Sequence, residues 1–206
     1  MADAGNNADN GRTDEELLAA FRSGDESAFE TLVRRYHQEL LTFLLRFVRQ
    51  RSLAEDMFQE AFLQVYLSSD SFDPTRRFKP WLFTIAANKA RDYLRKHKRR
   101  ATVPLTATIG PSDEGGTEFI DLLEADLPLP SENLENAETR EMVKEVMDAL
   151  PEHLREVMLL AYFNKFPYKE IAEMLGIPLG TVKSRLHASV GTFAQLWKAR
   201  HGEEPR

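Results

Sequence analysis

The chain has 206 residues, of which 42% are hydrophobic and 29% charged, enough for one large or two small folded domains. It has no cysteine, which excludes disulfides, thiol nucleophiles and thiolate metal sites. No apolar run approaches the roughly 20 residues that a membrane-spanning helix needs. Residues 1–13 are polar, without the apolar centre of a signal peptide, and are expected to form a disordered tail. We therefore expect a cytoplasmic protein without direct membrane insertion.

The net charge of −6 is distributed very unevenly along the chain. Residues 71–100 hold ten basic and two acidic side chains, a net of +8, whereas residues 101–150 hold two basic and twelve acidic ones, a net of −10. Attraction to phosphate depends on the local patch rather than on the total charge. The basic stretch is therefore a candidate for nucleic-acid binding.

Helical periodicity dominates the first half, and no alternating strand pattern of useful length is present. Four helices are predicted. The first runs from Asp14 to a stop at Gly24, and the second follows the N-cap Asp25. The third covers Leu53–Tyr66, and the fourth has Pro80 in its first turn and continues to Arg100. Ser52 and Glu55 have the spacing of a capping box for the third helix. Residues 68–77 are expected to form a loop, with Asp73-Pro74 as the turn signal.

Residues 101–133 combine proline, glycine and acidic residues with little periodicity, which predicts a flexible acidic linker. Helical periodicity then returns in four segments: Leu134–Leu150, Pro151–Asn164, Tyr168–Leu175 and Pro178–Lys198. The predicted fold class is all-α. Two small helical domains, at 14–100 and 134–201, are joined by the extended linker, and residues 202–206 form a tail.

The segment Tyr168–Leu186 has the spacing of a helix-turn-helix. Its aliphatic residues can close a small core between two crossing helices: Ile171, Leu175, Ile177, Val182 and Leu186. Gly176 lies where the turn needs a permissive backbone. The second helix presents polar and basic side chains outward, as base edges and phosphates require: Thr181, Lys183, Ser184, Arg185 and His187. The pattern favours DNA binding over a helical hairpin with a solvated face, but a repressor or a response-regulator output domain has it too.

The segment Phe78–Arg100 combines aromatic residues with a basic C-terminal half. The basic residues match a phosphate track and the negative end of the helix dipole, and the aromatic rings can stack unpaired bases. A polar stretch can read a base or hold the backbone: Asn88, Lys89, Arg91 and Asp92. The aromatic residues have a second interpretation, because side chains such as Trp81 are more often part of a core than platforms for bases.

Together with the helix Ala54–Phe62, these two segments resemble a sigma factor of the extracytoplasmic-function (ECF) group of the sigma-70 family, a bacterial transcription initiation factor. The resemblance covers about residues 14–100 and 134–198. It implies that the third helix binds the clamp helices of core RNA polymerase through one face: Asp56, Gln59, Glu60 and Leu63. Without the resemblance, this face would be interpreted as a solvated stripe.

The resemblance also implies two contacts with promoter DNA. The fourth helix would melt and hold the −10 element with these residues: Trp81, Asn88, Lys89, Arg91, Asp92 and Arg95. The preceding loop, Ser69–Arg77, would form the pocket for a flipped base. The helix-turn-helix would read the −35 element with these residues: Thr181, Lys183, Ser184, Arg185 and His187.

The implied partners are core RNA polymerase, promoter DNA and an anti-sigma factor that holds the protein inactive until a stress response releases it. No catalytic residue, metal or cofactor is implied, and the linker would thread toward the polymerase active site. After Arg185 the family commonly has further arginines, whereas here His187–Val190 follow, which puts some −35 contacts in doubt. Too few residues follow Trp197 for an additional sensory domain.

Two alternatives come from other functional classes. A DNA-binding regulator that never engages polymerase would account for the helix-turn-helix and leave the aromatic-basic helix unexplained. A nuclease would need a metal or acid-base cluster. The histidines are scattered, and each is expected to be a surface or packing residue: His37, His97, His153, His187 and His201.

Overall fold

The computed structural model describes residues 11–101 and 137–201. Most of the predicted linker and tails therefore lies outside the described residues. Within the described ranges every regular element is a helix, which confirms the all-α fold class. The chain divides into two compact units, residues 1–100 and 101–206. In neither range is there a helix long and apolar enough to cross a membrane.

The described part of the first unit has four α-helices: α1 (Asp14–Arg22), α2 (Glu26–Val48), α3 (Arg51–Ser68) and α4 (Phe78–Ala101). A short 3-10 turn, Ser69–Ser71, follows α3. Helix α1 begins with a capping box, in which the Thr13 hydroxyl accepts from the Glu16 amide and the Glu16 carboxylate accepts from the Thr13 amide. It ends at the predicted stop, where Gly24 has a φ of +101°.

The predicted capping box at Ser52 and Glu55 is wrong. Arg49 takes the left-handed conformation, with a φ of 61°, and ends α2, so that α3 begins at Arg51 after the N-cap Gln50. Glu55 instead accepts a hydrogen bond from the Arg51 guanidinium at 2.9 Å. Only Arg49 and Gln50 separate the two helices, and neither is a glycine. The sequence therefore gives no signal for this boundary.

The core of the first unit is rich in phenylalanine. The rings of Phe43 on α2 and Phe83 on α4 are 5.2 Å apart and both are buried. Most of the apolar residues of α2 are buried as well. Phe29 and Val33 are exceptions, because they lie half-buried at the rim of the core.

Residues 137–201 of the second unit also form four α-helices: α5 (Ala137–Ala149), α6 (Glu152–Met158), α7 (Tyr168–Leu175) and α8 (Leu179–His201). A π-helical turn, Leu159–Phe163, continues α6 to the predicted boundary at Asn164. The buried guanidinium of Arg155 donates to the Leu150 carbonyl at 3.3 Å and to the Asp148 carbonyl at 3.5 Å. It therefore satisfies carbonyls at the end of α5, which have no partner within the helix.

The predicted helix-turn-helix is present between α7 and α8. Gly176 has a φ of +64° and ends α7, and the Ile177 amide donates to the Ala172 carbonyl at 3.1 Å, as in a Schellman motif. Four of the five predicted core residues are buried: Ile171, Leu175, Val182 and Leu186. Ile177 is only half-buried.

Candidate nucleic-acid interface

Helix α3 turns one polar face to solvent. Its apolar residues, such as Met57 and Ala61, are buried, whereas the four predicted polymerase-binding residues are exposed: Asp56, Gln59, Glu60 and Leu63. These four residues are called the α3 surface below. Asp56 and Gln59 make no side-chain hydrogen bond or ion pair with any other described residue. Two apolar side chains, Leu63 and Leu67, are 58% and 70% exposed, so the surface offers apolar area beside its charge.

One ion pair connects the α3 surface to α4. The Glu60 carboxylate lies 3.6 Å from the Lys89 ammonium, and both side chains are partly exposed. The structure thus joins a residue predicted to bind polymerase to one predicted to bind the −10 element.

The exposed polar face of α4 is paired within the helix. The Arg91 guanidinium donates to the Asn88 side-chain oxygen, one turn earlier. The Arg95 guanidinium donates to the Asp92 carboxylate at 2.9 Å. Because these partners are three residues apart, they are neighbours on one helical face. The predicted residues Asn88, Arg91, Asp92 and Arg95 therefore form a continuous polar surface.

Trp81 lies at the other end of this helix and is half-buried. Its ring is 4.8 Å from that of Phe72 in the loop and 6.0 Å from that of Phe78. Trp81 therefore packs against the loop, and the residue as a whole remains partly exposed.

The loop Ser69–Arg77 has a fixed middle and an exposed surface. Phe72 is buried, and the Asp73 carboxylate accepts from the Thr75 amide at 2.9 Å and from the Thr75 hydroxyl at 2.7 Å. These hydrogen bonds hold the pKa of Asp73 below its ordinary value. The residues from Asp73 to Arg77 are exposed, two of them arginines.

Two residues of α1 reach this loop. The Glu15 carboxylate accepts from the Phe78 amide at 2.8 Å, and the Arg22 guanidinium donates to the Asp70 carbonyl at 3.4 Å. Neither contact is predicted by the sequence. The partners of Glu15 and Arg22 lie 63 and 48 residues away, so no local spacing could have indicated these contacts.

Helix α8 buries one face and exposes the opposite one. Val182, Leu186 and Val190 point inward, while Ser184 and His187 are exposed. The remaining predicted residues are half-buried at the flanks of the exposed face: Thr181, Lys183 and Arg185. Residues two apart are separated by about 200° around a helix, so Lys183 and Arg185 lie on opposite flanks. Neither makes a side-chain hydrogen bond or ion pair with another described residue.

Residues 11–101 and 137–201 contain no group of three or more histidine, aspartate or glutamate side chains placed to hold a metal ion. What these residues do contain is a basic helix with aromatic neighbours in one unit and a helix-turn-helix in the other. Fold and site together define a two-unit, all-helical nucleic-acid-binding protein.

Comparison with known proteins assigns this class to a family. Residues 32–100 match the family model of sigma-70 region 2, and residues 140–190 match that of sigma-70 region 4. The chain is 35% identical over 166 residues to the ECF RNA polymerase sigma factor SigW of Bacillus subtilis, which covers 81% of this chain and 87% of SigW. It is 32% identical over 174 residues to the ECF RNA polymerase sigma-E factor of Escherichia coli, with coverage of 84% and 88%. The chain belongs to the ECF sigma factors of the sigma-70 family.

Solved structures share the fold. RpoE, crystallised with the anti-sigma factor NepR from Bartonella quintana, has a TM-score of 0.60 at 23% identity and covers 84% of this chain and 98% of its own. CnrH in complex with the cytosolic domain of CnrY has a TM-score of 0.63 at 24% identity, with coverage of 91% and 98%. Helix α1 precedes the matched residues of region 2.

Proposed function

We propose that the two units of this sigma factor divide promoter recognition between them. The first, a region 2-like domain at 14–100, docks on core RNA polymerase and captures the −10 element. The second, a region 4-like domain at 134–201, reads the −35 element. The acidic linker at 101–133 connects them and threads toward the polymerase active site.

The α3 surface carries the polymerase-binding part of this proposal. A solvent-facing carboxylate and amide, Asp56 and Gln59, have no partner among the described residues, and they lie beside the exposed apolar side chain of Leu63. Such a mixture of apolar area and unengaged polar groups is typical of a docking surface. It is present in a chain whose family is defined by binding to polymerase.

The −10 element is captured by α4 and the loop Ser69–Arg77. Lys89, Arg91 and Arg95 provide positive charge for phosphates, and the half-buried Trp81 offers a ring face for an unstacked base. Extruding a base costs a few kcal/mol, which base stacking and phosphate contacts offset.

The −35 element is read by α8 in the major groove. Thr181, Lys183, Ser184, Arg185 and His187 are the candidate contacts for bases and phosphates. The function is thus binding without bond chemistry: the protein is not an enzyme, it requires no cofactor, and the polymerase performs catalysis. Because its targets are the chromosome and polymerase, it acts in the cytoplasm.

We also propose control by an anti-sigma factor. RpoE, which shares this fold, was crystallised with the anti-sigma factor NepR. The exposed apolar side chains of α3, Leu63, Tyr66 and Leu67, provide area that such a partner can cover.

A paired substitution tests the proposed docking. Replacing Asp56 and Gln59 together with alanine should weaken binding to core polymerase about tenfold or more, because both groups lose their contacts at the interface. Helix content and thermal unfolding should remain unchanged, since both side chains are exposed. The control replaces Glu30 and Gln38, which are exposed on α2. Equal affinity of both double variants for core polymerase would mean that the α3 surface is an ordinary solvated face.

A further inference from the structure

We infer that helix α1 sets the base specificity of the promoter-reading loop, with Glu15 and Arg22 as positioning residues that fix the two ends of Ser69–Arg77. This inference rests on the proposed function of that loop. The two residues touch no proposed DNA-contacting side chain themselves. Glu15 binds the backbone amide of Phe78, directly after the loop, and Arg22 binds the backbone carbonyl of Asp70, near the start of the loop.

The stronger attachment is at the C-terminal end of the loop. The amide of Phe78, the first residue of α4, donates to the Glu15 carboxylate at 2.8 Å in a partly buried position. The first amides of a helix have no partner within it, and a carboxylate there is also favoured by the helix dipole. Glu15 thus has the role of a capping side chain, but it is supplied by a helix 63 residues earlier in the chain.

The weaker attachment is at the N-terminal end. The Arg22 guanidinium donates to the Asp70 carbonyl at 3.4 Å, and its Nε lies 3.7 Å from the Asp70 carboxylate. The Asp70 side chain is 92% exposed, so the ion pair itself contributes little. The carbonyl contact is the part that constrains the backbone.

Helix α1 can position the loop only if it is itself fixed, and contacts with α2 hold it in place. The Asp14 carboxylate accepts from the Tyr36 hydroxyl and from the Arg35 guanidinium, and Leu17 and Leu18 are buried beneath the helix. Burial and this hydrogen bond raise the pKa of Tyr36, which keeps its hydroxyl protonated as the donor. The first and last turns of α1 therefore present Glu15 and Arg22 at fixed positions.

The loop's own hydrogen bonds are local: the Phe72 amide donates to the Ser69 carbonyl at 3.1 Å, and the Arg76 amide donates to the Asp73 carbonyl at 3.0 Å. Phe72 also packs on Trp81 of α4, and the hydrogen bond from Phe78 to Glu15 adds a tie between the C-terminal end of the loop and α1. Without Glu15 the Phe78 amide would lose its acceptor, and the start of α4 would shift or fray. A base pocket between loop and helix would then lose its shape.

The test uses the full chain with core polymerase and two promoter libraries, one randomised at the −10 element and one at the −35 element. Glu15→Ala should reduce discrimination at one −10 position about tenfold, as expected for loss of a charge-assisted hydrogen bond. Discrimination at −35 should be unchanged. Glu15→Gln, which keeps an acceptor oxygen, should restore most of the discrimination, and Arg22→Ala should have a smaller effect of about threefold.

Glu16→Ala is the matched control. Glu16 is also in the first turn of α1, but among the residues that the structure describes its carboxylate binds only the Thr13 amide of its own capping box. This variant should lose a similar amount of thermal stability and keep its −10 discrimination. A folded Glu15→Ala variant with wild-type discrimination at −10 would overturn the inference, as would an equal loss at −10 and −35. Absence of any −10 preference in the wild-type protein would instead contradict the proposed function.

Discussion

The two units hold their candidate DNA-contacting side chains in different ways. On α4 three candidate cations are engaged with partners in the same unit: Lys89 with Glu60, Arg91 with Asn88, and Arg95 with Asp92. On α8, Lys183 and Arg185 have no such partner among the described residues. In the proposed function, Lys183 and Arg185 therefore bind DNA without giving up a side-chain hydrogen bond or ion pair to a described residue, whereas Lys89, Arg91 and Arg95 exchange a protein partner for a phosphate.

The difference fits the two tasks. The −35 element is read in an intact duplex, so a preformed helix face is sufficient. In the proposed function, α4 captures the −10 element only when bases leave the stack, and we expect its paired side chains to compete weakly with phosphate before then. Exposed pairs of this kind contribute at most about 1 kcal/mol each, so they can exchange readily.

The largest expected effect comes from the cores. Phe83→Ala in the first unit should lower the free energy of unfolding by about 3–5 kcal/mol, and Leu186→Ala in the second by about 2–5 kcal/mol, because each leaves a cavity. If the units function separately, Phe83→Ala should abolish −10 discrimination and preserve −35 binding, and Leu186→Ala should do the reverse. Denaturant unfolding and DNA binding would measure both. Simultaneous loss of both activities in either variant would contradict the division between the units.

Substitutions on α8 should have the next largest effect. Removing a base contact by Lys183→Ala or Arg185→Ala should cost about 1–3 kcal/mol and relax preference at one −35 position. Removing a phosphate contact should weaken binding to all sequences and flatten its salt dependence. We expect one of the two variants to show the first outcome and the other to show the second, as measured with promoter libraries. A variant that rewrites the −10 preference and leaves −35 intact would disprove the assignment of the two units.

A smaller effect is expected at Asn88. Asn88→Ala should impair open-complex formation by about 1 kcal/mol on duplex promoter and by less on a pre-melted one, because part of its contribution is to capture of the extruded base. Permanganate reactivity of unpaired thymines would follow the opening. Equal defects on both templates would indicate a general loss of polymerase or DNA binding instead.

The smallest effect should be that of the pair between Glu60 and Lys89. A double-mutant cycle with Glu60→Ala and Lys89→Ala should give a coupling free energy below about 1 kcal/mol, measured by denaturant unfolding at low salt. The coupling should vanish at high salt because both groups are partly exposed. A larger coupling free energy that persists at high salt would mean that the ion pair holds Lys89 firmly and that Lys89 does not exchange readily to a phosphate.

The same contrast between the units decides what the sequence could predict. The helix-turn-helix depends on local spacing, since Gly176 ends α7 and Val182 and Leu186 repeat at helical intervals, so its elements were predicted closely. The first unit depends more on contacts between distant residues. The start of α3 was misplaced because Arg49 adopts a left-handed conformation that no glycine signals. The role of Glu15 at the loop was missed because it forms only in the folded unit.

The site predictions show the same limit. Exposure of the α3 surface followed from its three- and four-residue spacing. The pairing of Glu60 with Lys89 did not, because it depends on how α3 and α4 pack together. Helical period tells which side chains face solvent, but only the tertiary structure tells which of them already have partners.

Transcription in vitro tests the central claim most directly. Core RNA polymerase would transcribe a promoter library randomised at both elements, with and without this protein, and the transcripts would be sequenced. If the two units divide promoter recognition as proposed, initiation depends on this protein and occurs on templates that share two short elements at a fixed separation. The Asp56→Ala, Gln59→Ala double variant should lose this initiation. Sequence-specific DNA binding without polymerase, combined with no protein-dependent initiation, would contradict this claim.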